Sequence, residues 1–280
     1  MRPALAASGA QAAVPSAAQT GEAARQALAV MDAPQKRDVL GVQVSCAGPE
    51  LVADCILNWA AAGRPAIVDF MPVHGLIEAR RPERRDVMNQ FDIVACDGQP
   101  VRWALNKLHH TRLEERVYGP TCMATVCERA AEQGVGVYLY GSSPAVIETL
   151  SRVLPERYPG LIIAGAESPP YRALTKDEEA EVIQRVNASG AGVLLLGIGC
   201  PKQEDFAFKH REQIRAVQMC VGAAFDFHAG TLQMAPRWMQ DRGLEWLYRL
   251  YREPRRLCKR YVVTNSTFVF LLSRRIVFGR

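Results

Sequence analysis

The chain has 280 residues, 34 Lys and Arg against 29 Asp and Glu (formal charge +5), and 49% apolar residues. That length admits one large domain or two small ones, and the apolar fraction supplies a core without disulfide or metal staples. No apolar run approaches the roughly 18 residues of a spanning helix, and no compact apolar stretch follows a basic start, so neither a membrane span nor a secretory signal is expected.

Residues 1–35 hold thirteen Ala with Gln, Ser, Pro and Gly, and no apolar period. They read as a disordered or weakly helical extension outside the folded unit. From Val39 onward short β-rich runs alternate with helical ones. Strands are expected over 39–44, 66–70, 91–95, 135–140, 161–164, 193–197 and 218–221. Helices are expected over 50–62, 73–89, 101–109, 121–133, 145–158, 176–189 and 202–216. Such alternation predicts an α/β sandwich with a largely parallel sheet. Ligands of such sheets bind beyond the carboxyl ends of the strands, so polar residues that follow strands rank first.

After Val221 the rhythm changes. Irregular stretches over 222–230 and 236–238 lead into two basic amphipathic helical segments, 243–252 and 254–261, and an apolar end. A boundary near 230–235 divides a core, 36–234, from a C-terminal appendage, 235–280. From Leu244 to Arg280 nine basic residues face two acidic ones, whereas the rest of the chain is nearly neutral. That asymmetry points to a polyanionic partner: nucleic acid, anionic lipid or a phosphorylated ligand. The eight cysteines are scattered without a C-x-x-C pair and read as reduced core thiols, which also argues against zinc.

Five motifs carry possible chemistry. Cys96-Asp97-Gly98-Gln99-Pro100 follows an apolar strand. Asp97 there is either a general base or the N-cap of the next helix. Gly197-Ile198-Gly199-Cys200-Pro201-Lys202-Gln203-Glu204 is a glycine turn opening a helix. It reads equally as a phosphate cradle, with Lys202 adding charge, or as a structural turn. Arg116 in Arg116-Val117-Tyr118-Gly119-Pro120 either forks onto an anion or pairs with a neighbour. Asp226 and His228 are either an acid–base pair or part of a hydrogen-bonded turn. The tail interleaves Arg with Trp, Tyr and Leu, and Arg249, Arg252, Arg256, Lys259 and Arg260 recur at helical offsets. This suits an anionic membrane surface, at about 1 kcal/mol per nearby basic residue. RNA or a diphosphate would also suit it.

In order, the chain reads D-G-Q-P-V-R-W at 97–103, R-V-Y-G-P at 116–120, Y-P-G-L at 158–161 and G-I-G-C-P-K-Q-E at 197–204. F-D-F-H-A-G at 225–230, A-P-R-W-M-Q at 235–240 and G-L-E-W-L-Y-R-L-Y-R-E-P-R-R-L at 243–257 follow. The series resembles the WecG/TagA/CpsF family of bacterial glycosyltransferases (glycosyltransferase family 26). The resemblance implies a Rossmann-like α/β core with a helical C-terminal appendage. It implies inverting transfer of a sugar, without metal or other cofactor, from a nucleotide diphosphate sugar, usually UDP-linked. The acceptor would be a polyprenyl-diphosphate-linked sugar at the cytoplasmic membrane face, and family members can self-associate. Residue by residue, Asp97 matches the proposed base, and Arg116 and Gln203 match substrate-binding positions. Arg249, Arg256 and Arg260 lie in the appendage pattern that supplies Arg to the site. Gly197, Gly199 and their helix start would offer N–H groups to the leaving diphosphate. The family's T-x-N segment is absent: this region reads Phe70-Met71-Pro72-Val73-His74. His74 is the polar residue left there to serve the acceptor.

Three other readings compete. A nicotinamide oxidoreductase fits the alternation but lacks the full glycine fingerprint near the first strand. A nucleic-acid module would use the tail but leaves Asp97 without a task. A membrane-docking scaffold without activity would account for the lost T-x-N segment.

Overall fold

The computed structural model describes residues 30–279, apart from the side chains of Asp241, Arg256 and Arg260. Most of the expected extension, residues 1–29, lies outside the described residues. Its last residues meet the body: Trp59 Nε1 donates to the Met31 carbonyl at 2.7 Å.

The β segment expected over 39–44 is a hairpin. Strands β1 (Lys36–Val39) and β2 (Val42–Ser45) pair antiparallel outside the main sheet. Leu40 and Gly41 between them have φ of 56° and 98°. A two-residue turn with both residues left-handed matches the twist of the strands it joins. The Val94 N–H donates to Ser45 Oγ at 3.0 Å, fastening the hairpin to the sheet.

Helix α1 (Pro49–Ala62) leads into the main sheet. Its strands are β3 (Ala66–Met71), β4 (Ile93–Cys96), β5 (Val137–Gly141), β6 (Ile163–Glu167), β7 (Val193–Gly197) and β8 (Val217–Cys220). Their order is β4-β3-β8-β7-β5-β6, and every neighbouring pair is parallel. All residues of β3, β4 and β8 are buried, as expected of strands covered on both faces. The protein is thus an α/β molecule with a Rossmann-like core.

The helix expected over 73–89 is two: α2 (Val73–Glu78) and α3 (Pro82–Met88). Pro82 cannot donate to the preceding turn and holds Arg81 extended, at φ −61° and ψ 131°. Helices α4 (Gln99–His109), α5 (Gly119–Gln133), α6 (Pro144–Arg157), α7 (Lys176–Ala188) and α8 (Lys202–Lys209) complete the layers. Three short helices follow β8: α9 (Ala224–His228), α10 (Arg237–Asp241) and α11 (Glu245–Arg252). The last helix, α12 (Pro254–Phe278), takes in both the expected basic segment and the apolar end. Beyond Pro254 it contains no Gly or Pro to stop it. It packs on α2 and α11, burying Leu257 and Phe268, while Val262, Phe270 and Val277 stay more than half exposed.

Candidate active site

The carboxyl ends of β3, β4, β7 and β8 open onto a cavity of about 290 Å³. A second, more apolar cavity of about 400 Å³ lies between the start of α4, α11 and α12. Pro72, His74, Asp97, Tyr118 and Arg249 line both.

Asp97 follows β4, and its N–H donates to the Met71 carbonyl at 3.2 Å, extending the ladder by one residue. It is not the helix cap. Gly98 is the N-cap of α4 and supplies no side-chain hydrogen bond. The Asp97 side chain is therefore free to face the junction of the cavities. Its Oδ1 is enclosed and has no hydrogen-bond partner. Burial pushes its pKa up to about 7. The Glu245 carboxylate pushes in the same direction; Arg116, Arg249 and a hydrogen bond from the Gly119 N–H oppose it.

Arg116 is committed elsewhere. Its Nη2 donates to Glu245 Oε2 at 2.5 Å, and its Nη1 to the Asp97 carbonyl at 3.2 Å. The Asp97 carboxylate stands 4.0 Å from it, too far for a hydrogen bond. The Tyr118 O–H donates to Glu245 Oε1 at 2.6 Å, and the Arg116 guanidinium lies 4.3 Å from the Tyr118 ring centre. Burial, followed by the Glu245 charge, raises the Tyr118 pKa, so the phenol stays a donor.

The glycine turn after β7 divides between the two roles set out for it. Gly199, at φ 85°, lines the first cavity. Gly197 lines neither cavity; a Cβ there would overlap the Phe225 ring, and its carbonyl accepts from the Ser142 N–H at 3.0 Å. Gly197 is therefore a close-packing glycine. Lys202 is exposed and lines neither cavity. Pro201 is the N-cap of α8. Gln203 is buried in the first cavity, where its Nε2 donates to the Cys220 carbonyl at 3.0 Å.

From the C-terminal helices, Arg249 reaches both cavities, with its guanidinium 5.5 Å from the Phe227 ring centre. Its Nε is buried and has no partner. Arg256 and Arg260 fall on α12, but their side chains lie outside the described residues. His74 sits at the junction, where both cavities meet. Asp226 and His228 do not face one another as acid and base. Asp226 accepts from Thr231 at 3.2 Å, and the His228 ring bonds the Pro120 carbonyl at 2.8 Å.

Four residues of the site escaped the sequence reading: Asp69, Tyr118, Glu204 and Glu245. Asp69 carried a usable signal, being the one charge in the apolar run Ala66-Ile67-Val68-Asp69-Phe70-Met71. Glu245 stands in the first turn of α11, and nothing in its local sequence marks it. All eight cysteines are free thiols. Among the described residues no group of three or more His, Cys, Asp or Glu side chains is gathered closely enough to hold a metal ion. No helix among them is long and apolar enough to cross a membrane. A family model described as the glycosyl transferase WecG/TagA/CpsF family matches residues 37–280.

Proposed function

The chain belongs to the WecG/TagA/CpsF family of glycosyltransferases, which work in cell-surface polysaccharide biosynthesis, and from that premise we propose the following reaction. The enzyme transfers a sugar, with inversion and without metal, from a UDP-linked sugar to a polyprenyl-diphosphate-linked sugar. One observation carries this reading: a polar cavity and an apolar cavity meet at the Asp97 carboxylate.

The polar cavity suits the donor. Arg249 Nε, a buried donor without a partner, is available to a phosphate oxygen. The apolar cavity suits the acceptor, with Trp103, Trp246, Phe268 and Leu272 in its lining. Asp97 lies between them and would take the proton of the attacking hydroxyl. The acceptor oxygen bonds to the anomeric carbon as the bond to the nucleotide diphosphate breaks on the opposite face. The leaving group gains negative charge, and Arg249 meets it. Arg116 acts from behind, holding the Asp97 backbone and the Glu245 carboxylate.

The C-terminal helices, 235–280, serve in this reading as an appendage that walls the acceptor cavity and lies peripherally on the cytoplasmic face of the plasma membrane. The exposed apolar residues of α12 and the basic residues around Arg249 and Arg252 support that role. The test is transfer of radiolabelled sugar from UDP- and GDP-sugars to a prenyl-diphosphate-linked sugar, with the product's anomeric configuration read by NMR. Transfer with inverted configuration is expected. A retained configuration, or no transfer from any donor in the panel, would refute the proposal.

A further inference from the structure

We propose that Asp69, Gln203 and Glu204 form a subsite for the hydroxyl groups of a neutral donor sugar and exclude donor sugars that carry a carboxylate. The inference rests on the nucleotide-sugar reading of the first cavity.

All three side chains line that cavity and are at least nine-tenths buried, with exposures of 2%, 4% and 4%. Their hydrogen bonds are set. The Gln203 amide donates to the Cys220 carbonyl at 3.0 Å and to Glu204 Oε1 at 3.2 Å. That orientation leaves Gln203 Oε1 without a donor. Glu204 Oε2 and, nearby, Asp97 Oδ1 also lack one. Three enclosed acceptor oxygens thus belong to residues that line one cavity, and none accepts from an N–H or a hydroxyl of the described residues. Leaving such groups unpaired is unfavourable, and a ligand rich in hydroxyl donors satisfies them.

Charge narrows the ligand further. Asp69 and Glu204 stand close enough for one carboxyl to donate to the other, an arrangement that favours a proton on Asp69. Burial, with the neighbouring Glu204 charge, holds the Asp69 carboxyl well above the usual carboxylate range, and burial raises Glu204 as well. Asp69, held further above its ordinary value, is the protonated partner of the contact, and the negative charge of the pair lies toward Glu204. Arg84 also lines the cavity, but Asp205 occupies it through two contacts of 2.9 Å. Arg249 Nε is an enclosed donor without a partner. The cavity thus has a phosphate end at Arg249 and a hydroxyl end at the carboxyl pair. A uronate at the second end would meet like charge without a free cation beside it.

Isothermal titration of the full chain tests this with matched probes: UDP-glucose against UDP-glucuronate, GDP-mannose against GDP-mannuronate, and UDP and GDP alone. For the nucleotide that binds, the neutral sugar should bind about tenfold more tightly than its uronate, a factor equal to about 1.4 kcal/mol. The double variant Asp69→Asn/Glu204→Gln keeps the shapes and removes the charge. It should bring the two sugars of a pair within about threefold, without weakening the bare nucleotide diphosphate. Uronate binding as tight as its neutral partner in the wild-type protein overturns the subsite, and that comparison needs no variant. Discrimination seen with prenyl-diphosphate-linked glucose and glucuronate, but not with the nucleotide pairs, overturns the assignment to the donor. If no nucleotide or nucleotide sugar binds at all, the donor-cavity reading itself fails and the subsite falls with it.

Discussion

Arg116 donates to the Glu245 carboxylate at 2.5 Å, across 129 residues of chain. The contact joins the segment after β4 to the first turn of α11, and Tyr118 adds a second bond to the same carboxylate at 2.6 Å. Glu245 thereby takes the closest approach of the guanidinium, and the Asp97 carboxylate is left 4.0 Å away. An aspartate with Arg as its direct partner would sit below its ordinary pKa. Asp97, half-compensated and buried, stands near neutrality instead.

Catalysis should follow that ionisation. A base must be unprotonated, so transfer should rise with pH and level off above about 7. Asp97→Asn should lower kcat by roughly a hundredfold to ten-thousandfold, the usual range for a lost general base. A pH–rate profile flat from pH 5 to 8, or a variant close to wild type, would remove Asp97 from the role of base.

Stability should move the other way. A carboxyl raised from 3.8 to about 7 on folding binds more protons in the folded than in the unfolded state between those values. Its contribution is fully present below the unfolded value and is lost as pH rises through the folded one. Asp97→Asn removes this term, so at pH 8 the variant should melt a few degrees above wild type. Melting curves at pH 5 and pH 8 check it. A variant that is less stable at both pH values would contradict the sign.

Glu245→Gln should act on both properties. Breaking a buried ion pair costs about 3 kcal/mol, and Arg116 and Glu245 have only 13% and 8% of their side chains exposed. The Glu245 charge also helps raise Asp97, so its removal should carry the acid limb of the rate profile below pH 7. A merely structural role would lower stability and leave that limb where it was.

Gly197→Ala should destabilise the protein by about 1–3 kcal/mol, the range for overpacking a core. The added methyl would overlap the Phe225 ring between α9 and β7. Denaturant unfolding measures the loss. Donor affinity in the folded fraction should be unchanged, because Gly197 lines neither cavity.

The exposed face of α12 can be altered without touching the core. Replacing Val262, Phe270 and Val277 by Ser should reduce sedimentation with anionic liposomes severalfold. Surface changes of this kind alter folding stability little, typically within about 0.5 kcal/mol each. Nucleotide-sugar binding should persist. Liposome binding equal to wild type would place the membrane contact elsewhere.

The helix and strand alternation was legible because each element repeats its own apolar period, and strand 193–197 was read to the residue. Caps and breakers are local too, yet Pro82 divided a helix whose period ran straight through it. In the 39–44 run the apolar residues read as one strand, while the turn lay in the backbone of Leu40 and Gly41. The length of α12 was underread because its apolar half has no strict amphipathic period.

Asp97, Arg116, Gln203 and Arg249 were legible as candidates because motif order and the ends of strands point to them. Their partners were not. Glu245 meets Arg116 and Tyr118, and Asp69 meets Glu204, only after β3, β4, β7 and α11 come together. Charge state follows from burial and neighbours, and neither is a property of the local sequence. The amino-acid sequence by itself determined the elements, the family pattern and the basic tail, since all three are written in short-range periodicity and composition. Only the tertiary structure decided which carboxyls lie side by side, which arginine is already occupied and where two cavities meet, because Coulomb and desolvation energies depend on distances in space between residues far apart in the chain.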